Sequence, residues 1–110
     1  MNNIKSIEEF YKIINDNRLI LSYFSNENCN VCKVLKPKII DLLNKNFPNI
    51  FFYYCNIDEN PEISAQNSVF SIPTIIVFFD GKEIYRFGRF LDINELKIKL
   101  DRVYNLITEI

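Results

Sequence analysis

Apolar positions recur along this chain with two alternating periods. Ile7, Phe10, Tyr11 and Ile14 fall at i, i+3, i+4 and i+7, the spacing of one buried helical stripe. Ser6, with Glu9 three residues later, forms a capping box at the start of that helix, and Asn15-Asp16-Asn17 breaks it. Arg18 to Ser25 then reads as a strand. Both of its faces are apolar, Leu19, Leu21 and Tyr23 against Ile20 and Phe24, which places it in the middle of a sheet. A second helix opens at Cys29 and runs to about Asn46, with Leu35, Ile39, Leu42 and Leu43 as its buried stripe and Pro37 as a kink inside it. Ile50 to Asn56 is a second strand, and Asn60-Pro61 starts a short helix ending near Gln66. Thr74 to Phe79 is a third strand, Asp80-Gly81 a hairpin turn, and Lys82 to Phe87 the antiparallel return. Asp92 with Glu95 caps a last helix striped by Ile93, Leu96, Leu100, Val103 and Ile107.

The order is α-β-α-β-α-β-β-α. A strand, crossover helix and strand make a right-handed parallel pair, and the closing hairpin adds antiparallel strands. The expected fold class is α/β, one mixed sheet of about four strands with helices on both faces. The 110 residues allow a single domain, 1–110, and no second core. No Gly- or Ser-rich linker, repeat or low-complexity tract interrupts them.

Composition narrows the chemistry. Hydrophobic residues make up 48% and charged residues 25%, the balance of a globular protein. Apolar runs such as Thr74 to Phe79 are far short of the ~20 residues that span a bilayer. The first residues lack a signal-peptide stretch, so the expected location is the cytoplasm, with no membrane partner. With 13 basic and 14 acidic residues the net charge is -1, and no basic face points to nucleic acid. The absence of His removes imidazole bases, His metal ligands and the Ser-His-Asp and Cys-His hydrolases. Nothing calls for more than a monomer.

Three cysteines are too few for a disulfide-stapled mini-domain. Cys29 and Cys32 stand as Cys-x-x-Cys, a spacing that in a cytosolic chain serves redox chemistry or metal binding. A structural zinc site needs four ligands, and only Cys55 and carboxylates are available to complete one. Thiol–disulfide exchange needs a thiolate. Cys29 lies where a helix begins, where unpaired N–H groups and the helix dipole favour an anion. Such placement lowers a thiol from about 8.5 to between about 3.5 and 7.5. Alternation within Phe51-Phe-Tyr-Tyr-Cys puts Cys55 on a buried strand face as a small core residue.

Cys29-Asn30-Val31-Cys32-Lys33, after a central strand and opening a helix, resembles the thioredoxin family. Further landmarks follow in order: Pro37 in the helix, Asn56-Ile57-Asp58 and Asn60-Pro61 after the second strand, Ile72-Pro73-Thr74, the Asp80-Gly81 hairpin, and Gly88 after the last strand. The similarity spans roughly residues 4 to 107. A lone Cys-x-x-Cys is weak, but one about 40 residues before Ile-Pro-Thr, with a hairpin next, is strong. The family's short first strand has no clear counterpart here.

The resemblance implies a thiol–disulfide oxidoreductase that reduces disulfides in protein substrates. Cys29 is then the exposed nucleophile and Cys32 the buried resolving thiol. It implies a cis Pro73, and an extended substrate pairing with Ile72 beside Thr74 and Gly88. It implies no bound cofactor beyond the redox-active Cys29–Cys32 disulfide, no metal, and recycling by an NADPH-dependent thioredoxin reductase. The chain departs from the family at several neighbours of the motif. Asn30-Val31 replaces Gly-Pro, which alters the balance of dithiol and disulfide. Ser25 and Asn28 stand where Trp is usual, making the surface near Cys29 more polar. Tyr23 and Tyr54 replace the family's buried Asp and its Lys partner, two charges lost together. In the family that Asp helps deprotonate the resolving Cys, and a phenol titrating near 10 is a poor base at neutral pH. Resolution by Cys32 is therefore expected to rely on water, Glu27 or Asp58, and to be slow. Lys33 and Lys36 read first as a solvated helix face, with support of the Cys29 thiolate as the lesser alternative; Arg86 and Arg89 flank Gly88 and read first as solvated surface charges, with a preference for acidic substrates as the lesser alternative.

Two other readings compete. A peptide-binding module with little turnover would suit the lost Asp and Trp positions, but both Cys are present. A glutaredoxin-like protein using a low-molecular-weight thiol would carry Thr-Val-Pro and a Gly-Gly pair, whereas this chain has Ser71-Ile72-Pro73 and a single Gly88.

Overall fold

The computed structural model describes residues 2–3 and 5–108, with side chains over residues 5–106. In chain order the elements are β1 (Asn2–Asn3), α1 (Ile7–Asp16), β2 (Leu19–Ser25), α2 (Asn30–Asn46), β3 (Phe51–Asn56), α3 (Pro61–Gln66), β4 (Thr74–Phe79), β5 (Lys82–Phe87) and α4 (Ile93–Thr108). The sheet runs β1-β3-β2-β4-β5. β2 and β3 are parallel, with Phe24 opposite Cys55. β4 lies antiparallel on the other side of β2, with Phe24 opposite Thr74, and β5 antiparallel to β4, with Ile75 opposite Phe87.

The expected mixed four-strand sheet forms its body, and β1 adds a fifth strand. Asn2 and Asn3 pair in parallel with Tyr53 and Tyr54. This short first strand was not expected, for a physical reason: two Asn carry no hydrophobic alternation that would mark a strand.

β2 is buried along its whole length, and its two faces feed two cores. Leu19, Leu21 and Tyr23 join Cys32, Leu35, Ile39, Leu42 and Leu43 of α2 and Leu96, Leu100 and Val103 of α4. Ile20 and Phe24 join Phe10 and Ile14 of α1, Ile63 of α3, and Cys55. Helices thus cover both faces, as a parallel strand pair requires.

The stripes of α2 and α4 fall where periodicity puts them, although the side chain of Ile107 lies outside the described residues. In α1, Tyr11 departs from expectation. It is exposed, and its hydroxyl donates to Gln66 Oε1 at 2.8 Å. Ile13 packs partly against the core instead. Ser6 caps α1 by accepting from Glu9 N at 3.1 Å. The return half of the capping box lands one residue early, with Lys5 N donating to Glu9 Oε2 at 3.1 Å. The Asp80-Gly81 turn has positive φ at both residues, 50° and 83°, as a two-residue hairpin of the right twist demands.

Candidate active site

Strand register collects the sequence landmarks at one end of the sheet. Ser25, the last residue of β2, sits opposite Asn56 at the end of β3. Phe24 sits opposite Thr74 at the start of β4, and Phe87 ends β5 opposite Ile75. The loops carrying Cys29, Ile72-Pro73 and Gly88 all leave from this end, where parallel strands finish and α2 begins, the usual site location in α/β sheets.

Cys29 is the N-cap of α2. Its backbone is extended, and its Sγ accepts from Cys32 N at 3.2 Å. This is the geometry that draws negative charge onto a cap atom, because the first-turn amides have no helical partner. Cys29 and Cys32 form a disulfide with Cα atoms 5.2 Å apart. Cys29 is half-buried and Cys32 only 3% exposed, so Cys29 is the more accessible of the two residues.

Behind Cys32 lies a cleft of about 490 Å³, walled by Ser25, Asn26, Glu27, Lys33, Lys36 and Tyr54. Tyr23 supports it from below. The Tyr23 ring is fully buried, lies over Tyr54 at 6.5 Å between centroids, and its hydroxyl donates to the Cys32 carbonyl at 3.0 Å. Burial, and then the neighbouring Tyr54 hydroxyl, raise the Tyr23 phenol well above its usual range. Tyr23 is therefore a donor that pins the first turn of α2 and cannot collect a proton from Cys32. Tyr54 is raised too, by burial first, with a hydrogen bond to Ser25 working against it and the neighbouring Glu27 and Glu59 carboxylates adding to it. Lys36 Nζ sits 4.3 Å above the Tyr54 ring, and partial burial lowers its pKa.

Of the two acids considered as bases for Cys32, Glu27 lines this cleft. Asp58 lies in the turn after β3, where its amide donates to Asn56 Oδ1 at 2.9 Å. Ser25 is buried beneath the motif, whereas Asn28 is exposed, its amide held by Asn26 Oδ1 at 3.1 Å. Asn30 and Val31 lie in the first turn of α2, exposed and half-buried respectively.

The Ile72–Pro73 bond is cis, as the resemblance implied. Ile72 packs partly on the core, Pro73 is buried, and Thr74 is buried with its hydroxyl donating to the Ser71 carbonyl at 2.7 Å. A Cβ built on Gly88 would meet no atom within 4 Å, so the domain's own packing does not require a glycine there.

Arg86 does not stand as a free cation for acidic substrates. Its guanidinium takes Glu83 through two contacts of 2.9 and 2.7 Å and the carbonyls of Asn67 and Ser68 at 2.7 and 3.2 Å. It pairs with Ile76 across the sheet, on the face away from α2, and clamps the start of the loop that leads to Pro73. Cys55 is a free thiol, fully buried in the core on that same face and pushed up to about 12 by burial. Among the described residues no cluster of three or more His, Cys, Asp or Glu is arranged to hold a metal ion.

Sequence reasoning missed two contacts: the Tyr23 hydroxyl on the Cys32 carbonyl, and Lys36 over Tyr54. A signal for the second existed. Lys36 is four residues after Cys32, hence on the same helix face, and Tyr54 ends on the strand beside Tyr23.

Comparison with known proteins agrees with this geometry. The Thioredoxin family model matches residues 3–102. The thioredoxin-like protein YdfQ of Bacillus subtilis is 35% identical over 106 residues, covering 96% of this chain and 91% of its own. The thioredoxin of Chlamydia trachomatis is 36% identical, covering 76% of this chain and 79% of its own. The X-ray structure of Fasciola hepatica thioredoxin superposes with a TM-score of 0.82 at 30% identity, over 93% of this chain and 98% of that one. With the matched span running from the first strand into the last helix and the Cys29–Cys32 disulfide at the capped start of the helix between them, the chain belongs to the thioredoxin family and is a thiol–disulfide oxidoreductase.

Proposed function

We propose that this single domain reduces disulfides in protein substrates, with Cys29 as the attacking thiol and Cys32 as the resolving one. The Cys29 thiolate attacks one sulfur of the substrate disulfide. A Cys29–substrate bond forms, and the other substrate sulfur leaves with the electron pair and takes a proton. Cys32, as a thiolate, then attacks Cys29 Sγ. The Cys29–Cys32 bond forms, the second substrate sulfur leaves and is protonated, and two electrons have passed from the pair to the substrate.

The observation that carries this reading is the unequal placement of the two cysteines: half-buried Cys29 caps α2, and Cys32, one turn further in, is 3% exposed. The substrate segment is proposed to run as an extended strand along Ile72 and Thr74, past Pro73. The open space above Gly88 supports this path, since a side chain there would stand in the way. The oxidised pair is returned to the dithiol by an NADPH-dependent thioredoxin reductase, with no cofactor held by this chain. The proposed setting is the cytoplasm, where thiols are kept reduced.

Insulin reduction driven by dithiothreitol tests the roles. Wild-type protein precipitates insulin chains, Cys29→Ser does not, and Cys32→Ser accumulates a mixed disulfide through Cys29. Full activity in either serine variant sinks the assignment. No activity in the wild type favours a binding module with the same groove.

A further inference from the structure

The wall of the cleft behind the disulfide contains no buried carboxylate, yet the reaction still needs Cys32 as a thiolate. Three elements bring titratable or charged groups to the cleft behind Cys32. From β2 and its loop come Tyr23, which reaches the Cys32 carbonyl, and Glu27, from α2 come Lys33 and Lys36, and from β3 comes Tyr54, on which the charge of Glu59 in the following turn acts. Tyr23 has committed its proton to the Cys32 carbonyl. Glu27 is exposed on its loop and screened by water. Lys36 differs from both. It lies one helical turn beyond Cys32 on the same face, a spacing that puts Cβ atoms about 6 Å apart, and it lines the same cleft. It is half-buried, and its ammonium is seated on the Tyr54 ring at 4.3 Å, which holds a flexible side chain in place.

We propose that Lys36, seated on Tyr54, is the positioning residue for the resolving step, its fixed positive charge stabilising the Cys32 thiolate that attacks the mixed disulfide. This rests on the dithiol reading above. The Cys32 proton goes to water, the Cys32–Cys29 bond forms, and the partner sulfur leaves with its electron pair. Tyr54 is thus more than the leftover of a lost charge pair: its ring carries the cation that the lost lysine would have supplied. A unit charge held about 6 Å from the sulfur in a water-filled cleft, at an effective dielectric of about 40 to 80, biases ionisation by about three- to tenfold.

The test uses the full chain carrying a 2-nitro-5-thiobenzoate mixed disulfide on Cys29, with release of the yellow thiol followed by rapid mixing from pH 5 to 9. Lys36→Met, which keeps the stem and removes the charge, is expected to slow release about three- to tenfold at pH 7 and move the profile to higher pH. Lys36→Arg, which keeps the charge, is expected to stay within about twofold of wild type. The deficit of Lys36→Met should shrink in high salt as the wild-type rate falls towards it. A Lys36→Met profile that overlays the wild type overturns the proposal while leaving the dithiol cycle intact. Equal slowing in Lys36→Arg and Lys36→Met overturns it in favour of a packing role. Slowing in Glu27→Gln instead assigns the work to Glu27 and also overturns it. If wild-type protein releases no thiol while Cys29 carries the label, the dithiol reading itself fails.

Discussion

Replacing Tyr23 by Phe removes one oxygen and leaves the buried ring in place. The lost group donates at 3.0 Å to the carbonyl of Cys32, and the site is closed to solvent, so no water can substitute. The Cys32 carbonyl keeps its ordinary helical amide partner four residues on, so it loses only its second hydrogen bond. The expected cost is about 1 kcal/mol, the net worth of one neutral hydrogen bond. For 110 residues the unfolding entropy is about 0.23 kcal/mol/K, so Tm should fall by about 4 °C. Differential scanning calorimetry of the oxidised variant and wild type reads this directly. The resolving rate should change by less than about twofold, because a phenol held protonated by burial does not act as a base. A thermally silent Tyr23→Phe would refute the pinning role. A tenfold slower resolving step at unchanged stability would refute the claim that Tyr23 takes no proton.

Tyr23→Asp restores the family's acid without its cation and should destabilise by at least about 3 kcal/mol. Urea melts should show the loss growing as pH rises, because the buried carboxyl is stable only while protonated, and adding Tyr54→Lys should recover part of it. Cys55 is raised from 9.0 to about 12, so its contribution is present below pH 9 and is lost as pH climbs towards 12. In melts of the reduced protein, Cys55→Ala should flatten the decline between pH 9 and 10, below the range where Tyr23, Tyr53 and Tyr54 add theirs. Native Cys55 should also resist iodoacetamide at pH 8. Arg86→Ala frees the Asn67 and Ser68 carbonyls and should cost about 0.5–1 kcal/mol, since the pair is roughly one-third exposed. Because the loop before Pro73 loosens, KM for insulin should rise two- to fivefold with kcat kept. Glu83 is held below 4.5 by Arg86, so the stability this pair adds is lost as pH falls below that value.

The layered fold was legible because burial leaves periodic marks. A strand apolar on both faces, such as Leu19–Ser25, has to lie inside the sheet, and Leu35, Ile39, Leu42 and Leu43 have to face it. What escaped notice left no such mark. Asn2–Asn3 joins the sheet by backbone pairing. Tyr11 fits the stripe of α1 by spacing, but its hydroxyl favours Gln66 at the surface. Arg86 and Arg89 look alike beside Gly88, yet strand alternation turns Arg86 to the far face, where two carbonyls hold it. The two sulfurs and the cis proline were readable because motif and order coincide. Their support was not, because Tyr23 reaches Cys32 across nine residues of sequence and Lys36 meets Tyr54 across eighteen.

The amide of Cys32 donates to the sulfur of Cys29, so one N–H bond senses the electronic state of the atom where the chemistry happens. A thiolate is a far stronger acceptor than a disulfide sulfur, and each stage of the cycle should leave its own imprint on that amide. A single backbone resonance in an 15N spectrum, with its hydrogen-exchange rate, becomes an internal gauge of how much of the population is charged, coupled or closed, with no label on either cysteine.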